Sequence, residues 1–168
     1  MHRRNFGGFD DMASITKTID VKVPVAMAYN QFTQFEEFPL FMNGVVEVKQ
    51  LDDKRLHWKA EIAGKTEEWD AEITHQTADT RIAWQATSGA KNAGLVTFDK
   101  VDETTTRITL QLEYEPEGLI EHIGSALGLV AARVKGDLER FKSFVEARGE
   151  ETGAWRGEIE GPRVDTSP

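Results

Sequence analysis

Residues 65–89 read KTEEWDAEITHQTADTRIAWQATSG, two strands and the turn between them. Trp69, Ala71, Ile73 and His75 alternate with Glu68, Asp70, Glu72 and Thr74, the period of two that sends successive side chains to opposite faces of a sheet. Trp84 and Ala86 carry the same rhythm beyond Ala78-Asp79. A two-residue turn at 78–79 sets a register in which Ile73 lies opposite Trp84 and Ala71 opposite Ala86. The carboxylates Glu68, Asp70 and Glu72 then form a solvated stripe on the outer face, and His75 is the one histidine expected to point inward.

Outward from this pair, strands are expected at 45–51, 55–62, 93–101 and 105–114, with short hairpin loops at Ala63-Gly64 and at Gly89 to Lys91. The loop at 63–64 places Trp58 opposite Trp69. Pairing of Ser88 with Asn92 would bring Gly94 opposite Ala86, so Ala71, Ala86 and Gly94 would form a band of small residues across the inner face. Such a band either leaves room for a ligand among the tryptophans or admits the close approach of a helix.

Before the sheet, Ile15, Ile19, Val21 and Val23 alternate with Thr16, Thr18, Asp20 and Lys22, giving a first strand that stops at Pro24. Proline suits the first turn of a helix, and Val25, Tyr29 and Phe32 continue at helical spacing to about Thr33. Phe35, Phe38, Phe41 and Met42 come next, in a segment that Pro39 limits to a turn or two, closed by Gly44. After the sheet, Ile120, Ile123, Leu127, Val130, Val134, Leu138, Phe141 and Val145 make one apolar stripe, with Arg133, Lys135, Glu139, Arg140 and Lys142 largely outside it. One helix over 117–147 would be about 46 Å long, more than the roughly 40 Å across a domain of this size. Gly118, Gly124 and Gly128 therefore mark a loose entry segment at 117–128, read as a mobile lid or, preferably, as close backbone packing, before a firm helix from about 129.

The expected class is α+β: a curved seven-stranded antiparallel sheet around a long C-terminal helix, with two short helices after the first strand. The organisation is a disordered arm at 1–12, one domain at 13–148 and a polar tail at 149–168. In that tail Trp155 either docks on the domain or is an incidental aromatic in a disordered segment, the second being the expectation.

Composition narrows the function. A formal charge of −9 over 168 residues argues against nucleic acid, which needs a basic footprint. The chain has no cysteine, which removes thiol nucleophiles and Cys-ligated zinc and fits a reducing cytoplasm. No apolar run reaches the about 20 residues of a membrane span. His2, His57 and His122 lie in the arm, on the outer face and in the entry segment, so His75 has no second histidine at ligand spacing and no metal is expected. There is no phosphate loop and no nucleophile elbow. Tyr29 and Tyr114 remain as phenols that could donate to a carbonyl or quinone oxygen, or simply pack.

The runs 23–33 (VPVAMAYNQFT) and 35–45 (FEEFPLFMNGV), with 68–73 (EWDAEI), 81–84 (RIAW) and 136–142 (GDLERFK), resemble the START-like polyketide cyclase/dehydrase superfamily, which includes coenzyme-Q-binding START-like proteins. The resemblance implies a helix-grip, Bet v 1-like fold with an apolar cavity between sheet and helix. It carries no catalytic residue over. The expected ligand-binding set is Tyr29, Phe41, Met42, Trp58, Trp69, Ala71, His75, Trp84, Ala86, Gly94, Phe98, Tyr114, Leu127 and Val130. The expected function is binding of a hydrophobic small molecule, aromatic, quinone-like or acyl, by a cytoplasmic carrier or chaperone with no cofactor. The alternatives are a polyketide aromatase/cyclase and a module that docks a protein in its groove.

Overall fold

A computed structural model describes residues 13–62, 64–89, 91–115 and 126–161. Strand β1 (Ala13–Val21) leads into helix α1 (Val25–Phe32) and a 3-10 helix (Phe35–Leu40), and six more strands succeed them: β2 (Val45–Gln50), β3 (Arg55–Ile62), β4 (Lys65–Thr77), β5 (Arg81–Gly89), β6 (Asn92–Asp102) and β7 (Thr105–Tyr114). Helix α2 (Ala126–Arg148) comes last. All strand pairs are antiparallel, in the order β1-β7-β6-β5-β4-β3-β2. Strands β2 to β7 form a meander because their turns are too short to cross over. β1 and β2 end up at opposite edges, so α1 and the 3-10 helix must span the sheet to join them.

The sheet curls around α2, whose buried side chains Val134, Leu138, Phe141 and Val145 recur at the helical interval expected of a core-facing stripe. Side chains tie this helix to β1, with Lys142 Nζ donating to the Asp20 carbonyl at 3.0 Å and the Lys22 N–H donating to Glu146 at 2.7 Å. The helix begins at Ala126, earlier than the expected 129, and Gly128 is inside it. The other entry-segment glycines, Gly118 and Gly124, lie outside the described residues, as does the arm at 1–12.

Trp58 pairs with Trp69, Ile73 with Trp84 and Ala71 with Ala86, the register read from the sequence, but the β4–β5 pair reaches it by another route. Thr77 pairs with Arg81 across a three-residue turn, and the extra turn residue is cancelled by a bulge between Ile73 and His75. A bulge inserts one unpaired residue and inverts the facing of the residues beyond it. Gln76 is therefore buried at 1% exposure, while His75 is displaced from the inner face and lies against Gly161. On the other side of β5, Gly94 pairs with Trp84 rather than with Ala86, and a Cβ on Gly94 would overlap the Trp84 ring. The small residue seats an indole instead of extending an empty band.

The tail beyond α2 is docked rather than loose over its described part. Polar Asn30 and Gln31 of α1 are buried because this segment covers them. Gln31 exchanges hydrogen bonds with Thr152, its Nε2 donating to Thr152 Oγ1 at 3.0 Å and its Oε1 accepting the Thr152 N–H at 2.9 Å. The Trp155 N–H donates to Thr33 Oγ1 at 3.0 Å. Arg156 reaches Asn30 at 2.7 Å and Asp79 at 2.8 Å with its guanidinium over the Tyr29 ring. Ile159 closes the strap, bridging to Gln76 of β4 and burying its side chain in the core.

Candidate functional site

A cavity of about 190 Å³ lies between the sheet and α2. That exceeds the about 150 Å³ with which an engineered apolar cavity holds benzene. Leu56, Trp58 and Ala60 of β3, Trp69 and Ile73 of β4, Ile82 and Trp84 of β5, Val96 of β6 and Leu110, Leu112 and Tyr114 of β7 supply the sheet wall. Val130, Val134 and Leu138 face them from α2, and Phe32, Phe35, Phe38 and Met42 close one end. Trp58 and Trp69 stack with ring planes 6° apart and centroids 5.9 Å apart, as two indoles directly opposed on neighbouring strands do when they share a face.

Of the expected site residues, Met42, Trp58, Trp69, Trp84, Tyr114 and Val130 line this space. Tyr29, Phe41 and Phe98 do not line it; they pack behind it, in an aromatic chain that runs from Tyr29 through Phe98, Phe32 and Phe141 to Phe41. Tyr29 Oη accepts from Gln76 Nε2 at 3.0 Å, and burial raises its phenol above the usual value. Ala71, Ala86 and Gly94 are absent from the lining, the room at Gly94 being taken by the Trp84 ring, and His75 is removed from it by the bulge. The side chain of Leu127 lies outside what is described.

Polarity in the wall is sparse and specific. Trp58 Nε1, Trp69 Nε1 and Tyr114 Oη are buried donors with no hydrogen-bond partner among the described residues. Burial also holds the Tyr114 phenol above its ordinary pKa. At the rim, Asn43 and Gly44 meet Arg133 and Asp137 of α2. Arg133 Nη1 donates to the Asn43 carbonyl at 3.0 Å, and the Asn43 N–H donates to Asp137 Oδ1 at 3.0 Å. Arg140 pairs with the same carboxylate and donates to the Phe41 carbonyl at 3.0 Å. Burial pushes the Asp137 carboxyl up, against the opposing pull of Arg140, the Asn43 N–H and Arg133.

The rim residues Arg133 and Asp137 are absent from the sequence-based set. Their signal is spacing: 133, 137 and 140 rise by four and three, a row flanking the apolar stripe on the same side of the helix. On the outer face, His57 lies between Asp70 at 2.6 Å and Glu68 at 2.8 Å, which engages the stripe of carboxylates without making it a site. No group of three metal-ligating side chains occurs among the described residues. No helix among them is long and apolar enough to cross a membrane.

The family model described as polyketide cyclase / dehydrase and lipid transport matches residues 21–142. An uncharacterized 17.2 kDa protein of Streptomyces lincolnensis is 48% identical over 149 residues, covering 88% of this chain and 99% of its own. The Zhui aromatase/cyclase of Streptomyces sp. R1128 superposes with a TM-score of 0.69 at 13% identity, over 86% of this chain and 99% of that one. A START superfamily protein of Mycobacterium smegmatis superposes at 0.64 and 15% identity, over 80% and 95%. The last two likenesses are of fold.

Proposed function

The chain belongs to the polyketide cyclase / dehydrase and lipid transport family, and from that premise we propose that its cavity holds a hydrophobic small molecule, aromatic, quinone-like or acyl, as a carrier or chaperone in the cytoplasm. The observation that carries this reading is a space between the sheet and α2 whose wall is almost wholly apolar, with the Trp58 and Trp69 indoles stacked in it. Apolar packing would supply affinity, and the indole faces would supply orientation.

The test is native mass spectrometry of freshly purified protein for co-purified small molecules, with tryptophan-fluorescence titration of a naphthoquinone and an acyl probe. Ala60, buried in the β3 wall at 4% exposure, offers a way to fill the space. Ala60→Leu is expected to keep the melting temperature and weaken both probes. If it melts much lower and the parent protein binds neither probe, the space is ordinary packing and the reading fails.

A second reading, a polyketide aromatase/cyclase, draws on the rim carboxyl. Asp137 is a titratable group in the wall whose pKa burial raises, and a general acid or base needs a pKa brought toward the working pH. Its pairing with Arg140 holds the charged form, so Asp137→Asn separates the two: a carrier keeps its ligand, a cyclase loses turnover of a poly-β-carbonyl chain. The docking-module alternative would need an apolar groove open to a protein, whereas the space here lies between the sheet and α2.

A further inference from the structure

We infer that the cavity's occupant ends in a carboxylate, bound by Arg133 at the rim, with its apolar body lying along the tryptophan wall. This rests on the reading of the cavity as a ligand site and adds the chemistry of one end of the ligand. Arg133 and Asp137 are the charged side chains in the lining among the described residues. They are not equivalent. Asp137 Oδ1 is already held by the Asn43 N–H and by Arg140, so its charge is answered within the protein. Among the described residues Arg133 spends one of its five N–H donors, on the Asn43 carbonyl, and a guanidinium presents the others in a fork that matches a carboxylate.

The guanidinium is also held in place. Gly44 has φ +90, and a Cβ there would overlap Arg133 Nη1. Glycine at this turn therefore serves both the left-handed backbone and the room for the arginine. Arg140, which lies outside the lining, pairs with Asp137 and leaves the charge of Arg133 for a ligand to answer, in a chain whose formal charge is −9. One excess charge suits a monoanion. A phosphate dianion would meet a single guanidinium beside the Asp137 carboxylate, which favours the carboxylate over the phosphate.

The test compares 2-naphthoate and decanoate with their methyl esters by tryptophan fluorescence at fixed ionic strength. The wild type is expected to bind each acid at least about tenfold tighter than its ester, as a charge-assisted hydrogen bond would give. Arg133→Leu should abolish that preference while leaving ester affinity in place, and Arg133→Lys should restore part of it. Esters that bind the wild type as tightly as the acids overturn the carboxylate assignment and leave the cavity reading standing. A preference that survives in Arg133→Leu with an unchanged melting temperature overturns the role of Arg133. Binding of neither acids nor esters overturns both readings.

Discussion

Two side chains show opposite balances between burial and hydrogen bonding. Tyr114 is fully buried and its hydroxyl has no partner among the described residues. Tyr114→Phe in ligand-free protein is therefore expected to hold or raise stability by about 1 kcal/mol, read by urea unfolding. A clear loss of stability would mean that the hydroxyl is already satisfied. His57 behaves in the opposite way. Hydrogen bonds to Asp70 and then Glu68 raise its pKa, and the same bonds lower those of the two carboxylates. The raised histidine stabilises fully below its ordinary value near 6.5 and loses the effect as pH climbs through the folded value. The lowered carboxylates lose theirs as pH falls through their folded values, so the cluster contributes most in weakly acidic solution. His57→Gln should lower the melting temperature near pH 5.5 and scarcely at pH 9, by an amount kept small by exposure.

At the level of elements, the docked strap matters most. Ile159 is buried at 5% exposure and bridges Gln76, so Ile159→Ala is expected to cost about 2–5 kcal/mol; a loss under 0.5 kcal/mol in urea unfolding would show that the strap does not hold. The strap and the β4–β5 turn also mark where the sequence is and is not legible. Alternation places the strands and the Trp58–Trp69 and Ile73–Trp84 pairs, because period-two patterning reports which residues share a face. It cannot report the compensation between a longer turn and the bulge at Thr74, since both change count without changing polarity. Alternation alone therefore turns His75 inward, where Gln76 stands. The polar strap escapes because its hydrogen bonds to α1 leave no apolar rhythm and Ile159 is an isolated apolar anchor. The rim arginine and carboxylate escape because charged residues beside an apolar stripe resemble a solvated face.

Across the whole molecule, the cavity exists because the strands from β2 to β7, α1, the 3-10 helix and α2 each supply part of its boundary, and no local segment encloses it. The fold class is legible because each element announces itself and short loops allow few arrangements. The volume is not, since it depends on where rings such as Trp84 come to rest. The strap bears on when the molecule finishes folding. Asn30 and Gln31 meet Glu151, Thr152 and Arg156 across 121 to 126 residues of chain, and loop closure over such spans is slow relative to local pairing. During synthesis, a nascent chain whose Ile159 is still in the ribosomal exit tunnel would expose two unpaired amide side chains on α1. Protease resistance of arrested chains should rise in a late step, only after Ile159 has emerged; full resistance in chains arrested with Ile159 inside the tunnel would show that the strap is dispensable to folding.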